Sequence, residues 1–475
     1  MTLPLHKNLV IKNKETVDMF DFGTSVARKK MSLIKKIHLE EIKSKNFLRT
    51  FKKFKCSVIT SFSIICPGSV FVRLKAREII KRTKIHKILL ELGPSTANSH
   101  MEYWRSFLKS LPKSINTCTI HLGMTELEDK YMHYFLPLTY AKQVETQKIV
   151  INSLERLRKL EKCTLYCLPM NTNQVDGRLI STSLSRNKSM KHLVINPLWI
   201  TNSSLENLSK LQRFQPLTSL VLCCNLETME KHMSAIGSFI SEFQFLNSIT
   251  ISSIVDVSKF LLKLNPYQLQ ELEVDIADHL DLNILRNFNG VLRHLSIYAL
   301  EYSYSEEYKF NIPLIESLES FKFVLFNNYN LNCTKLGQQI SLLKNLRSLH
   351  LELFMQCNKP GKFFEGLDAS YPSLETFSLK LKQMEGEIVP LTNFLNCNSM
   401  ALRSLKLDFM STDFSEKVTN LLLDTLQGFC GQLQNFKLVA NCRPLAMLNK
   451  KDAVSRLISG LYSAEKLYFE IGPGF

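Results

Sequence analysis

Side chains able to do chemistry are scattered along this chain of 475 residues. Twelve cysteines include Cys163-x-x-x-Cys167, the adjacent Cys223-Cys224, and Cys430 with Cys442. None of these has a second pair at the spacing of a zinc site, so buried small apolar groups are the expectation. The eleven histidines are dispersed. Asp21-Phe22-Gly23 spells a magnesium-binding tripeptide of phosphoryl transfer, but no glycine-rich loop or catalytic-loop sequence accompanies it. No nucleophile–base pair or ligand cluster forms. An enzyme is therefore not expected, and no catalytic residue, cofactor or metal is assigned.

Charge is the chemistry that does concentrate. Residues 1–90 hold 21 Lys and Arg against 6 Asp and Glu, while the other 385 residues carry 39 against 37. The formal +17 of the chain therefore belongs almost wholly to one end. Its clusters are Arg28, Lys29 and Lys30; Lys52, Lys53 and Lys55; Arg73, Lys75 and Arg77; and Lys81, Arg82 and Lys84. Leu39–Cys56 reads as an amphipathic helix with Ile42, Leu48, Phe51 and Phe54 near one side. Such a region fits nucleic acid, an anionic lipid surface, an acidic protein, a nuclear import signal, or the solvated face of the first repeats. No RNP motif, Cys/His finger or helix-turn-helix pattern favours nucleic acid.

The elements that position these residues are written in a repeat. The pattern apolar-x-x-apolar-x-apolar starts at Leu160, Met190, Leu217, Leu246, Leu269, Leu292, Leu318, Leu346, Leu374, Leu402, Leu433 and Ala464. The spacings run from 23 to 31 residues with a mean near 27.6. Earlier copies start at Ile85 and Ile115, and a further one at Ile34. Positions 4 to 6 alternate as a short strand does, apolar side inward. Segments between carry helical spacing: Ile236, Phe239, Ile240 and Phe243; Leu336, Ile340 and Leu343; Val418, Leu421, Leu422 and Leu426. One unit cannot bury its own apolar side, whereas stacked units share a core.

Leu217-Thr-Ser-Leu220-Val-Leu222-Cys-Cys-Asn225 resembles the L-x-x-L-x-L-x-x-N consensus of the leucine-rich repeat family. The unit length is similar to its long, helix-bearing, ribonuclease-inhibitor-like subclass. The resemblance covers residues 85–475 and implies an α/β solenoid, a curved horseshoe with a concave parallel sheet and convex helices. Residues 1–84 are then either first repeats or a separate cap. Position 9 departs from the pattern: Asn stands only at Asn225 and Asn441, with Leu198, Ile254, Ala277, Leu300, Phe326, Phe354, Lys382 or Met410 elsewhere.

The resemblance implies binding on the concave face, where two columns of outward residues are expected. From Leu269 on they contain Glu273 and Asp275, Ser296 and Tyr298, Lys322 and Val324, His350 and Glu352, Ser378 and Lys380, Lys406 and Asp408, Lys437 and Val439, and Tyr468 and Glu470. Mixed charge with aromatics suits a protein partner better than a polyanion. Upstream columns, such as Thr164 with Tyr166 and Val221 with Cys223, are nearly uncharged. The expected function is a non-enzymatic scaffold or adaptor. The alternatives are a substrate receptor of a ubiquitin ligase and nucleic-acid or anionic-surface binding through the basic end. The receptor role needs an adaptor-binding helical box that residues 1–80 do not display. Free thiols and the absence of a signal-peptide pattern favour the cytoplasm, with the nucleus as the alternative. The longest uncharged stretch, Cys56–Val72, is short, Ser-rich and broken by Pro67-Gly68, so no membrane span is expected. Only Gly472-Pro473-Gly474-Phe475 follows the last motif, which predicts an exposed sheet edge near Tyr468 and self-association.

Overall fold

In the computed structural model of the chain the described residues are 8–12, 36–40, 61–65, 85–92, 109, 111–122, 156–167, 189–198, 216–224, 234, 236–238, 240–252, 258–276, 282–299, 312–326, 332–354, 359–367, 370–381, 388–409, 416–429, 432–440 and 466–471. The chain divides into two compact units, Met1–Leu246 and Asn247–Phe475.

The first unit holds eight described strands: β1 (Asn8–Lys12), β2 (Lys36–Glu40), β3 (Ser61–Ile65), β4 (Lys87–Leu92), β5 (Thr117–Leu122), β6 (Lys162–Cys167), β7 (His192–Leu198) and β8 (Ser219–Cys224). Each is parallel to the next in chain order, with one irregularity between Ile195 and Leu198. β3 lies inside the uncharged stretch Cys56–Val72 and pairs in register as a repeat strand. Leu39 and Glu40 close β2 and are not the start of a helix. The remainder of the predicted helix to Cys56 lies outside the described residues. Cys118 and Cys163 are register partners on β5 and β6, both wholly buried. Burial pushes the Cys163 thiol up to about 12, which makes it a core group and not a nucleophile.

The second unit holds nine: β9 (Ser248–Ser252), β10 (Glu271–Ile276), β11 (His294–Ala299), β12 (Ser320–Phe326), β13 (Ser348–Phe354), β14 (Thr376–Leu381), β15 (Ser404–Phe409), β16 (Asn435–Ala440) and β17 (Lys466–Ile471). They too run parallel in chain order. β13 shows the alternation plainly: Leu349, Leu351 and Leu353 are buried, and the residues between them are half-buried. The three leucines join Leu346 in the shared core.

The connecting layer follows the unit length. The two 23-residue units leave room only for a one-turn helix at Ser258–Leu261 and a 3₁₀ helix at Leu282–Phe288. The 3₁₀ helix is followed by Gly290 at φ 92°, a left-handed conformation that glycine adopts without strain. Units of 28 to 31 residues hold α-helices: α1 (Cys333–Ser341), α2 (Lys359–Gly366), α3 (Val389–Asn398) and α4 (Glu416–Gln427). Asn332 caps α1, its Oδ1 accepting from Lys335 N at 3.0 Å. Pro390 sits in the first turn of α3, where a missing N–H is tolerated.

Register is fixed at the residue just before each strand. Its carbonyl accepts two N–H groups from the next repeat, as when Gln270 O accepts from Arg293 N at 2.8 Å and His294 N at 2.9 Å. Two buried amides add side-chain bonds in the connecting layer of this unit. Gln339 Oε1 accepts from Ile312 N at 3.2 Å, and Asn398 Oδ1 from Tyr371 N at 2.7 Å. Both amides are buried, so each satisfies a backbone donor one repeat away that water does not reach.

The same pre-strand row alternates in charge: Arg293, Glu319, Arg347, Glu375, Arg403. Arg293 pairs with Glu319, and Arg347 lies 4.0 Å from Glu375. A slip by one repeat would set like charges side by side. Glu319→Arg places three arginines in succession. It should lower stability by about 0.5–1 kcal/mol at low salt, since exposed pairs are weak. Thermal melts at two ionic strengths check this; a deficit unchanged by salt would assign the loss to packing.

Candidate functional site

The strands of the second unit align the predicted columns in register. One row reads Glu273, Ser296, Lys322, His350, Ser378, Lys406, Lys437, Tyr468; the other Asp275, Tyr298, Val324, Glu352, Lys380, Asp408, Val439, Glu470. The rows are less open than expected. Of the predicted residues with described side chains only Lys406 is exposed; Glu273, Asp275, Tyr298, His350, Glu352, Lys380, Asp408 and Lys437 are half-buried. Val324 at 2% and Ser378 at 9% are buried, contrary to their outward assignment. The β-carbon alternation sets the direction of a side chain but not what lies over it. The side chains of Tyr468 and Glu470 lie outside the described residues. So do all twelve residues of the basic end, Arg28 through Lys84.

Glu352 is the hub of the face. His350 Nε2 donates to its Oε1 at 2.9 Å, Lys322 Nζ lies 4.0 Å from the same oxygen, and Lys380 Nζ lies 4.0 Å from Oε2. Lys322 also donates to Tyr298 Oη at 2.7 Å and sits 4.7 Å above its ring. Tyr298 in turn hydrogen-bonds Glu273. Ser252 Oγ donates to Asp275 Oδ2. One polar network thus runs from β10 to β14. At its margin Phe326 and Phe354 stack at 4.9 Å with planes 8° apart, and Lys380 Nζ lies 5.4 Å over the Phe354 ring. These two phenylalanines are the position-9 departures. In the sequence they stand where the repeat consensus has asparagine, and their outward parity with Lys322 and His350 is the signal that places them on this face.

Burial pushes the Glu273 carboxyl above its usual range, and neighbouring Asp275 adds to this; Lys322 and the Tyr298 hydroxyl act the other way. Burial likewise raises Asp275, with Ser252 opposing. A raised carboxyl is protonated earlier in the folded state. It costs stability at neutral pH, and that cost fades as pH falls toward the ordinary values of 4.5 and 3.8. The double variant Glu273→Gln/Asp275→Asn should therefore melt at or above the parent at pH 7, with the gap closing near pH 4. A gap that stays constant with pH would contradict the burial of these charges.

His192 and His294 are exposed at the first residue of their strands, apart from the network around His350. No group of three His, Cys, Asp or Glu able to hold a metal ion occurs among the described residues. No described helix is long and apolar enough to cross a membrane.

One parallel strand per 23–31-residue motif, taken in chain order, with positions 1, 4 and 6 in the core and helices between the strands of the second unit, defines the class: an α/β repeat protein of the solenoid kind that the leucine-rich repeat resemblance implies. No protein-family model matches the sequence, and neither does any curated protein. Similar solved structures include an internalin from Listeria monocytogenes, at 15% identity over 68% of this chain and 83% of that one, TM-score 0.33. A leucine-rich repeat protein of Leptospira interrogans is similar at 14% identity over 86% and 88%, TM-score 0.32. TLR13, solved in complex with a single-stranded RNA, is similar at 16% identity over 90% of this chain and 58% of that one, TM-score 0.33.

Proposed function

We propose that the chain is a non-enzymatic interaction scaffold that holds a protein partner on the open sheet face of its second unit. The observation that carries this reading is the network from Glu273 to Lys380 with the Phe326–Phe354 stack at its edge. Half-buried aromatics and preset ion pairs give a partner rigid anchors at low entropic cost. Polar groups ordered before binding fix the partner's register. Tyr298 and Phe354 are the expected anchors, with Lys406, Asp408 and Lys437 extending the face. The partner is met inside the cell, in the cytoplasm or the nucleus.

The basic end forms a second contact for an acidic protein surface, and residues 1–84 are ordinary first repeats. The parallel run β1 to β4 supports this. Strands at Asn8–Lys12, Lys36–Glu40 and Ser61–Ile65 pair as repeat strands, so these segments are not a ligase adaptor box.

The test is affinity capture with the full chain and two variants, Tyr298→Ala/Phe354→Ala and Lys52→Gln/Lys53→Gln/Lys55→Gln. Loss of an anchor costs about 2 kcal/mol or more, near 30-fold in affinity. The partner should be lost from the first variant and kept by the second. Retention by the first and loss from the second would move the site to the basic end.

A further inference from the structure

The turns that lead into the strands of the first unit carry a charge pattern that the second unit lacks. From β12 to β15 the turn two residues before each motif holds Glu316, Lys344, Pro372 and Met400, and the row after it alternates between arginine and glutamate. Before β5 and β6 the same turn position holds Lys113 and Arg158, in successive repeats. Lys159 follows in the second turn, and Lys87 and Lys162 open β4 and β6. All five are exposed, and so is Arg156. The described carboxylate beside them is Glu161, and it lies 3.8 Å from Lys191. None of the six cations has an ion pair among the described residues. Bonds between repeats fix the ridge. Asn116 O accepts from Glu161 N at 2.8 Å and Lys162 N at 3.0 Å, and Arg156 Nη1 donates to Lys109 O at 2.7 Å. Like charges held side by side repel until an anion is placed over them.

We infer that this ridge binds the phosphate backbone of a nucleic-acid duplex without reading its sequence. The inference is independent of the partner face on the second unit. No large apolar side chain is exposed among the described residues of the ridge, and no aromatic residue stands at positions 85–87, 111–117, 156–163 or 189–192. A protein partner draws its affinity from aromatic and apolar anchors. A single strand draws it from rings on which bases stack. A duplex backbone needs neither, only cations at fixed places. From β4 to β7 is three strand spacings, or about 14 Å. That length of duplex carries about eight phosphate charges, with about four on the side that meets the protein.

The probe is a fluorescent DNA duplex of about 20 base pairs, and its binding to the full chain is followed by anisotropy between about 50 and about 200 mM salt. The slope of log affinity against log salt should be about −3 to −4, and two duplexes of unrelated sequence should bind within about threefold of each other. An RNA duplex of the same sequence distinguishes the source, which is the tighter of the two. Lys113→Glu/Arg158→Glu should weaken binding at least about tenfold and flatten the slope by about 2, with an unchanged circular dichroism spectrum. Lys113→Gln/Arg158→Gln should act in the same direction. Lys259→Glu/Lys263→Glu makes the same change in net charge on the second unit and should weaken binding less than about threefold. Equal weakening by the two charge reversals would overturn the inference, because net charge alone would then account for binding. Loss of binding from Lys52→Gln/Lys53→Gln/Lys55→Gln, with none from the ridge variant, would move the duplex to the basic end. Equal affinity for a glutamate peptide of similar charge would give the ridge to an acidic protein instead. Each of these results, or no binding of either duplex, rejects the ridge as a duplex site.

Discussion

Gly337→Ala will lower the unfolding midpoint of the second unit, although alanine is the better helix former. In an exposed helix the exchange favours alanine by about 1 kcal/mol. Here a β-carbon on Gly337 of α1 would lie 2.2 Å from Phe363 O and 2.7 Å from Leu367 N, both backbone atoms of the α2 repeat. The contact is reciprocal: a β-carbon on Gly366 would lie 2.0 Å from Thr334 O in α1. Neither obstacle is a side chain that can rotate away, so the helices must separate. Overpacking of this kind costs about 1–3 kcal/mol or somewhat more and outweighs the propensity gain. A net loss of about 2 kcal/mol is expected by denaturant titration. Gly428→Ala is the control, because its nearest neighbour is Thr425 O at 3.2 Å; it should change stability by about 0.5 kcal/mol or less. α1 and α2 back the repeats whose strands carry Lys322, His350 and Glu352. Gly337→Ala should therefore also loosen the binding face, read as weaker partner capture.

Tyr371→Ala carries the largest expected loss. The ring is buried at 1% exposure, 6.1 Å edge-on from Phe394. Its hydroxyl donates to Ile340 O at 2.9 Å, and its N–H donates to Asn398 Oδ1 at 2.7 Å. Asn398 is itself held by its own donation to Phe394 O at 2.8 Å. One residue thus ties α1 to α3 across its own repeat. Truncating a buried aromatic costs about 3–5 kcal/mol. Tyr371→Phe keeps the ring and removes one donor from the Ile340 carbonyl, which still accepts from Leu343 N at 3.0 Å, for about 0.5–1.5 kcal/mol. The phenol also has a pH signature. Burial holds it neutral well above its ordinary value of 10. Its stabilising share is complete below pH 10 and is lost as pH rises beyond it, because the unfolded chain ionises first. Melts between pH 8 and 11 should show the parent falling toward the Phe variant; parallel curves would contradict a buried phenol.

The strands were the most legible part of the chain, because positions 4 and 6 of each motif must both be apolar to face a shared core. β3 fits the same rule through Ile59, Phe62 and Ile64, but a longer uncharged run around it obscured the period. β1 was hidden for a different reason, since His6 stands where an apolar residue opens the other motifs. The periodic faces at Leu336–Leu343 and Val418–Leu426 correspond to α1 and α4. Lys359-Pro360-Gly361 reads as a turn yet opens α2, and Pro390 likewise conceals α3. The register of the two outward rows was legible because parallel repeats stack equal positions. Their degree of covering was not, as buried Val324 and Ser378 show. The Gly337–Gly366 approach and the Phe326–Phe354 stack join residues 28 or 29 positions apart, and no local pattern announces such contacts.

The central claim is that the partner lies on the open face of the second unit. A photo-crosslinking amino acid placed at Ser296, beside the network, and in a second protein at Lys53 in the basic end, tests it most directly. The account predicts a covalent adduct with the captured partner from position 296, competed away by excess unlabelled full-length chain. An adduct from position 53 with none from position 296 would contradict it.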